Sequence, residues 1–147
     1  MLHVEGTDTP QSAGRLSGTG IAHYRPYALS ILRIVVALLF FEHGLSRLFG
    51  FPSPLPTPAL FSMYWFAGAI EFAGGALVAV GLFTRISAFI MSGEMAFAYF
   101  LRHAPGGFFP ILNRGDGAIL FCFVFLYLAF AGPGPWSLDA LLSRKRG

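Results

Sequence analysis

The sequence predicts an all-α protein, a bundle of four transmembrane helices. Hydrophobic residues make up 55% of its 147 residues and charged residues only 12%, and the mean hydropathy is +0.65. Soluble domains carry roughly 25% charged residues, which keep their surfaces hydrated. This chain has too few charges for such a surface, so we expect lipid to be its main solvent.

The amino-terminal part of the chain is polar. Residues 1–24 are rich in Gly, Ser and Thr, and Glu5 and Asp8 lie where the basic region of a secretory signal would be. We expect residues 1–24 to form a flexible cytoplasmic tail, residues 25–142 a membrane domain, and residues 143–147 a basic tail. The first apolar segment would then be an uncleaved anchor.

Four apolar segments follow. The first, at about residues 27–49, exceeds the 20 or so helical residues that cross a membrane, and four prolines come after it. The second, roughly 60–83, and the third, 86 to about 101, are so close that they predict an antiparallel hairpin. After a loop rich in Pro and Gly, the fourth spans roughly 117–131. None has a charged stripe at helical spacing, which argues against a soluble helical protein.

The distribution of positive charges predicts the orientation. Cytoplasmic loops are enriched in Lys and Arg. The side that would hold both termini carries six such residues near the membrane, and the opposite side carries three, namely Arg47, Arg102 and Arg114. Both termini are therefore predicted to be cytoplasmic.

Small residues recur every seven positions in the second segment. Ala67, Gly74 and Gly81 form one row, and Gly68 and Gly75 form another. Such rows let helices approach closely in a membrane, either within the bundle or between copies. We favour contact within the bundle, because four helices need such a face internally.

Each of the first three segments carries one glutamate. Glu42, Glu71 and Glu94 lie at similar depth, roughly 10–17 Å from the predicted outer ends by helical rise. Charged residues inside a membrane are costly and tend to face the protein interior or water. The three carboxylates predict either a polar pocket for a proton, an ion or a lipid-soluble substrate, or a set of interhelical ion pairs.

Basic and polar groups near these glutamates are candidate partners. His43 and Arg47 share a face of the first helix. Arg102 and His103 lie at the outer end of the third helix, and Asp116 precedes the fourth. Arg33, near the inner end of the first helix, is expected to extend its charge to the cytoplasmic interface.

The sequence contains few indications of a cofactor. His43 and His103 differ in depth by around 12 Å, which argues against a haem held between them. No motif for zinc, an iron–sulfur cluster, a dinucleotide or ATP is present, and no spacing indicates another metal site. The net charge of +3, with a short basic tail, does not indicate nucleic acid and suits a membrane surface.

Four stretches together resemble the DoxX family of bacterial membrane proteins. They are FFEHGLSRLFG, GAIEFAGGALVAVGLFTR, SGEMAFAYFLRHAPGGFFPILNRGD and GPGPWSLDALL, and the resemblance covers residues 27–142. It differs at Arg47, where the commonest family pattern has lysine. The positions that match and that we carry over are His43, Gly44, Arg47, Glu71, Glu94 and Asp116.

The resemblance implies a four-helix protein of the bacterial inner membrane. The family takes its name from a subunit associated with a terminal quinol oxidase, and a relative is linked to thiosulfate:quinone oxidoreductase activity. Other relatives are membrane partners of soluble enzymes of redox stress and thiol balance. This implies a quinone as ligand, and a soluble redox enzyme or another membrane subunit as partner.

Three functions remain open at this point. The first is a subunit of a quinone-linked oxidoreductase, with Glu42, Glu71, Glu94 and His43 as catalytic candidates and Arg47, Arg102, His103 and Asp116 as binding candidates. The second is a non-catalytic anchor or regulator of a soluble enzyme. The third is a small transporter, for which four short helices leave little room unless the chain forms a homo-oligomer.

Overall fold

A computed structural model of the protein describes residues 20–53 and 57–145. These residues form helices and connecting loops, with no strand among them. The predicted flexible tail lies almost entirely outside the described residues; its last part, Ile21–Tyr24, is a short 3-10 turn that leads into the first helix. The helices are α1 (Arg25–Phe49), α2 (Met63–Val80), α3 (Thr84–Ala98), α4 (Pro110–Asn113), α5 (Asp116–Ala131) and α6 (Leu138–Arg144).

The four longer helices form a bundle from two tightly packed pairs. Helix α1 packs along α2, α3 packs along α5, and the α2–α3 contact joins the pairs. Their shared core is apolar and includes Phe40, Val78, Met91, Phe125 and Leu128. The all-α bundle predicted from the sequence is confirmed. Two short helices add to it, α4 in the loop before α5 and α6 after it.

Glycines bring α1 and α2 unusually close. A Cβ at Gly44 would lie 2.3 Å from the backbone nitrogen of Phe72, and one at Gly75 would lie 2.8 Å from the backbone of Phe41. A Cβ at Gly74 would lie 2.8 Å from the side-chain sulfur of Met91 in α3. The small residues of α2 therefore serve contacts within the bundle, as predicted.

Arg33 holds one end of the bundle together. Its guanidinium is fully buried and donates hydrogen bonds to the carbonyl oxygens of Val78, Ala79, Pro133 and Trp136. These carbonyls belong to the last turn of α2 and to the segment after α5, where helical acceptors have no partner in their own helix. The prediction that Arg33 reaches the membrane interface is wrong, because these carbonyls satisfy its charge inside the protein.

Helix α6 closes the same end. Asp139 accepts hydrogen bonds from the backbone nitrogens of Phe83 and Thr84, both at 2.9 Å. It thereby caps the start of α3, where free N–H groups and the helix dipole favour a carboxylate. The start of α1 is at this end too, since the Tyr27 and Trp136 rings lie 5.5 Å apart. We call this the inner end, and the opposite end the outer end.

Two helical stretches are long and apolar enough to cross a membrane by length and composition, Ile21–Phe49 and Met63–Val80. Helix α5 is a shorter apolar helix. Helix α3 is extended beyond Ala98 by a π-helical turn, Tyr99–His103, which gives it a length similar to α2. Large apolar side chains are exposed on the outside of the bundle, such as Phe89 of α3 and Phe123 of α5. Crossing by α3 and α5 stays a prediction.

Candidate functional site

A cavity of about 520 Å³ lies between the four longer helices, toward the outer end. This volume falls within the range of about 300–1,000 Å³ that is usual for small-molecule sites. Much of the wall is apolar or aromatic, with Phe40, Met63, Met95, Phe97 and Phe121 among the lining residues. Charged and polar side chains from α1, α2, α3 and the loop before α5 complete it.

Arg47 and Glu71 form a two-pronged ion pair on one wall. Arg47 Nε donates to Glu71 Oε2 and Nη2 donates to Oε1, both at 2.9 Å. Glu71 is 2% exposed and Arg47 31%. The pair depends on the close helix contact, because Gly44 lies one turn before Arg47 and faces the backbone of α2 at Glu71 and Phe72. Side-by-side hydrogen bonds of this kind are the strongest form of arginine–carboxylate contact.

Glu94 lines the same cavity from α3. Both of its carboxyl oxygens are buried and have no hydrogen-bond partner among the residues that the structure describes. Buried polar side chains are nearly always hydrogen-bonded, so an unpartnered carboxyl in a cavity is unusual. The arrangement indicates a place where a ligand or water supplies the missing partner.

His43 lies beside the cavity with one ring nitrogen engaged. Its Nδ1 is 2.7 Å from the carbonyl oxygen of Leu39, and since a carbonyl only accepts, Nδ1 carries the proton. The ring meets Phe121 of α5 edge-on, with the centroids 5.9 Å apart. The free Nε2 can therefore accept a hydrogen bond, or donate one when the ring is protonated.

The outer end of the cavity is basic. The π-helical turn after α3 carries Arg102, whose guanidinium lies 5.0 Å from the centre of the Tyr64 ring of α2, in the range of cation–π contacts. The same turn carries His103, whose Nδ1 is 3.0 Å from the carbonyl oxygen of Asn113. Arg114 completes this end. π-Helical turns occur often at functional sites.

The structure brings most, but not all, of the candidate residues together. Glu71, Glu94, His43, Arg47, Arg102 and His103 all line the cavity. The expectation that Glu42 shares a pocket with the other glutamates is wrong, because Glu42 is exposed on the opposite side of α1. Asp116, the first residue of α5, is also exposed and is not among the residues that line the cavity.

Two lining residues were missing from the sequence-based candidates. Tyr64 lies seven residues before Glu71, which is two helical turns on the same face, so helical spacing could have identified it. Arg114 flanks the start of the fourth predicted helix beside Asp116, so the sequence indicates it as a nearby charge; its place at the cavity depends on a left-handed backbone at the end of α4 (φ 59°), which the sequence does not indicate. Over residues 20–53 and 57–145, no group of three or more His, Cys, Asp or Glu side chains is arranged to hold a metal ion.

Residues 28–104 match the family model for DoxX. A Haemophilus influenzae protein, described as uncharacterized, is 45% identical over 128 residues, covering 83% of this chain and 96% of that protein. A membrane protein of Mycobacterium tuberculosis is 30% identical, over 82% of this chain and 84% of its own. The inner membrane protein YqjF of Escherichia coli is 27% identical, over 78% of this chain and 92% of its own. No solved structure matches the chain.

Proposed function

The chain belongs to the DoxX family of membrane proteins, and we propose that it is the quinone-binding membrane component of a redox system. In this proposal the cavity beside Glu94 holds a quinone or quinol head group. A soluble redox enzyme or another membrane subunit exchanges the electrons. The observation that carries the proposal is the buried carboxyl of Glu94, which has no partner among the described residues and faces a cavity large enough for such a head group.

The cavity suits a flat ligand whose ring is apolar and whose edges carry polar groups. Aromatic and thioether side chains line much of it, and they stack well on a ring of this kind. The polar groups are few and lie at separate points, as is usual for small-molecule sites. A quinol offers two hydroxyl groups as donors, and a quinone offers two carbonyl oxygens as acceptors, so both states can bond to side chains at these points.

Each polar residue has a role that follows from its chemistry. Glu94 accepts a hydrogen bond from a quinol hydroxyl and can take up its proton. His43, through its free Nε2, provides a second proton acceptor. Arg47 donates to a carbonyl oxygen while Glu71 holds its guanidinium in place. Oxidation of a quinol releases two protons and two electrons; the side chains receive the protons, and the redox partner receives the electrons.

The charge distribution and the relatives support a location in the bacterial inner membrane. The E. coli relative is named an inner membrane protein, and this supports the same membrane for this chain. By sequence, six Lys and Arg residues belong to the side that would hold both termini and three to the opposite side, which supports a multi-pass arrangement with both termini in the cytoplasm. The cavity then opens in the outer half of the bilayer.

Direct binding tests the proposal. Purified protein in lipid nanodiscs is titrated with a short-chain quinol, and the dissociation constant is compared among variants. Glu94→Gln and His43→Ala should weaken binding about tenfold or more, since each removes a proton acceptor at the head group. The matched control is Asp116→Asn, which changes an exposed carboxylate outside the cavity lining and should bind like the wild type. If the wild type does not bind, or if all variants bind equally, the proposal is wrong.

A further inference from the structure

One face of α1 points away from the bundle and is apolar except for a single acid. At 100° per residue its members fall within about 60° of one another around the helix, and they are Ile31, Val35, Leu38 and Glu42. The opposite face carries Phe40 and Gly44 and packs inside the protein. Glu42 therefore lies at the centre of the surface that α1 presents to its surroundings.

Nothing in the described part of the chain satisfies this carboxylate. The ion pair formed among the described residues is Arg47–Glu71, and no hydrogen bond to the Glu42 side chain is present there. Glu42 lies seven residues before the end of α1 at Phe49, roughly 10 Å along the axis. Its Cα–Cβ bond tilts toward the helix amino terminus, away from the nearer membrane surface. A carboxylate facing lipid at this depth is rare, so we expect a protein surface to cover it.

The next residue along the helix carries the complementary group. His43 is exposed as well, and its Nδ1 is already bonded to Leu39 of its own helix. Its Nε2 has no partner in the described part of the chain, and when the ring is protonated it can donate a hydrogen bond to a carboxylate. Within one chain Glu42 and His43 point about 100° apart around α1, and they form no ion pair with each other. Leu39 lies between these two directions.

We propose that two copies of the chain pair through the side of α1 that is centred on Leu39, between Glu42 and His43, so that Glu42 of each copy meets His43 of the other. In a two-fold dimer whose axis is normal to the membrane, residues at equal depth face each other and each contact occurs twice. Glu42 and His43 differ in depth by about 1.5 Å, the rise of one residue. A second copy thus brings its His43 imidazole to nearly the same depth as Glu42. Leu39 of each copy lies near the axis.

The pairing also reaches the cavity. His43 is one of its lining residues, so its Nε2 meets either Glu42 of the other copy or a ligand in the cavity, one at a time. Dimer formation is measured without any quinone, and its outcome is therefore independent of the proposed function.

Cysteine crosslinking in native membranes tests the interface. In a Cys122→Ser background, Leu39→Cys should form a disulfide-linked dimer on mild oxidation. Gly93→Cys is the matched control, because Gly93 is exposed on α3 with open space around its Cβ and lies at similar depth; it should stay monomeric. A Leu39→Cys product no more abundant than the control, or one joined to a different protein, would overturn the proposal.

A second experiment tests the ion pair itself. Energy transfer between labelled copies in liposomes gives the dimer dissociation constant as lipid is diluted. Glu42→Leu should raise this constant about 3- to 20-fold, the range expected for polar contacts between membrane helices. The exchange Glu42→His with His43→Glu should restore part of the loss, since it keeps one acid and one imidazole in each contact. A Glu42→Leu variant that dimerises as tightly as the wild type would show that the pairing is wrong.

Discussion

Two arginines lie on the inward side of α1, and each is held by a different kind of partner. Arg47 pairs with the carboxylate of Glu71 near the outer end, whereas Arg33 is surrounded by backbone carbonyls near the inner end. In both cases the charge is accommodated by several hydrogen bonds, which is the condition for placing a guanidinium inside a protein. The two arginines therefore contribute to stability in different ways.

Removing Arg47 should destabilise the protein more than removing Glu71. Arg47→Met leaves a carboxylate that is 2% exposed without its partner, and breaking a buried pair in this way costs about 3 kcal/mol. Glu71→Leu leaves an arginine that is 31% exposed and can still be solvated, so the loss should be about 1–2 kcal/mol. The double variant should lose less than the sum. A double-mutant cycle of unfolding free energies in detergent measures the coupling between Arg47 and Glu71. Losses that simply add in the double variant would contradict the prediction.

Replacing Arg33 should unfold the inner end. Arg33→Met removes the hydrogen bonds to four carbonyls and leaves buried acceptors unsatisfied, a loss of about 3 kcal/mol or more. Arg25→Met is the control, since Arg25 is exposed at the start of α1, and it should change stability by less than about 0.5 kcal/mol. Thermal unfolding of both variants checks the difference. Equal unfolding temperatures for the two variants would mean that the hydrogen bonds of Arg33 to the carbonyls contribute nothing to stability.

Single-residue chemistry could be predicted from the sequence only in part. The depth of Glu71 and Glu94 and the helical spacing of His43 and Arg47 follow from counting along each segment. The direction of Glu42 and the burial of Arg33 do not, because each depends on which neighbours α1 has. An arginine six residues inside a helix can extend its guanidinium to the membrane interface, or it can donate hydrogen bonds to the carbonyls at the end of another helix.

At the scale of helices, the distance between α1 and α2 determines the site. Gly44, Gly68 and Gly75 let the two backbones approach, and this approach brings Glu71 within hydrogen-bonding distance of Arg47. The seven-residue spacing of small residues in α2 could be read from the sequence, since it needs only a helix. The participation of Gly44 could not, because it required knowing that α1 is the neighbour.

Gly44→Ala should separate the two helices. The added Cβ would lie 2.3 Å from a backbone nitrogen of α2, which cannot yield as a flexible side chain can, and overpacking of this kind costs about 1–3 kcal/mol. Gly93→Ala introduces the same methyl group into open space on α3 and should leave stability unchanged or raise it by up to about 1 kcal/mol. Unfolding of the two variants side by side measures the contrast. A neutral Gly44→Ala would mean that the close approach is unimportant.

At the scale of the whole molecule, the fold class and the four main helices could be predicted from composition and apolar runs. Helix α6 and the pairing of α1 with α2 and of α3 with α5 could not, because they depend on contacts distant in sequence such as Asp139 with Phe83 and Thr84. The cavity is likewise a property of the assembled bundle, since four helices contribute to its wall.

The orientation of the molecule can be measured by labelling. In a Cys122→Ser background, single cysteines at Gly107, near the outer end, and Ser143, near the inner end, are exposed to a membrane-impermeant maleimide on intact spheroplasts. Gly107→Cys should be labelled and Ser143→Cys should react only after lysis, because the sequence has more Lys and Arg on the side of the termini than on the opposite side. The reverse pattern would invert the proposed topology.

The central claim is that the cavity beside Glu94 holds a quinone head group, and photoaffinity labelling tests it most directly. An azido-quinone is photolysed with the protein in nanodiscs, and the labelled peptides are identified by mass spectrometry. We predict labelling within residues 94–103 or 114–121, which include the lining residues of α3, its π-helical turn, the loop before α5 and α5 itself. Unlabelled quinone should compete with the label, and labelling should fall strongly in Glu94→Gln but not in Asp116→Asn. Labelling confined to the lipid-facing side of α1, or unchanged in Glu94→Gln, would contradict the account.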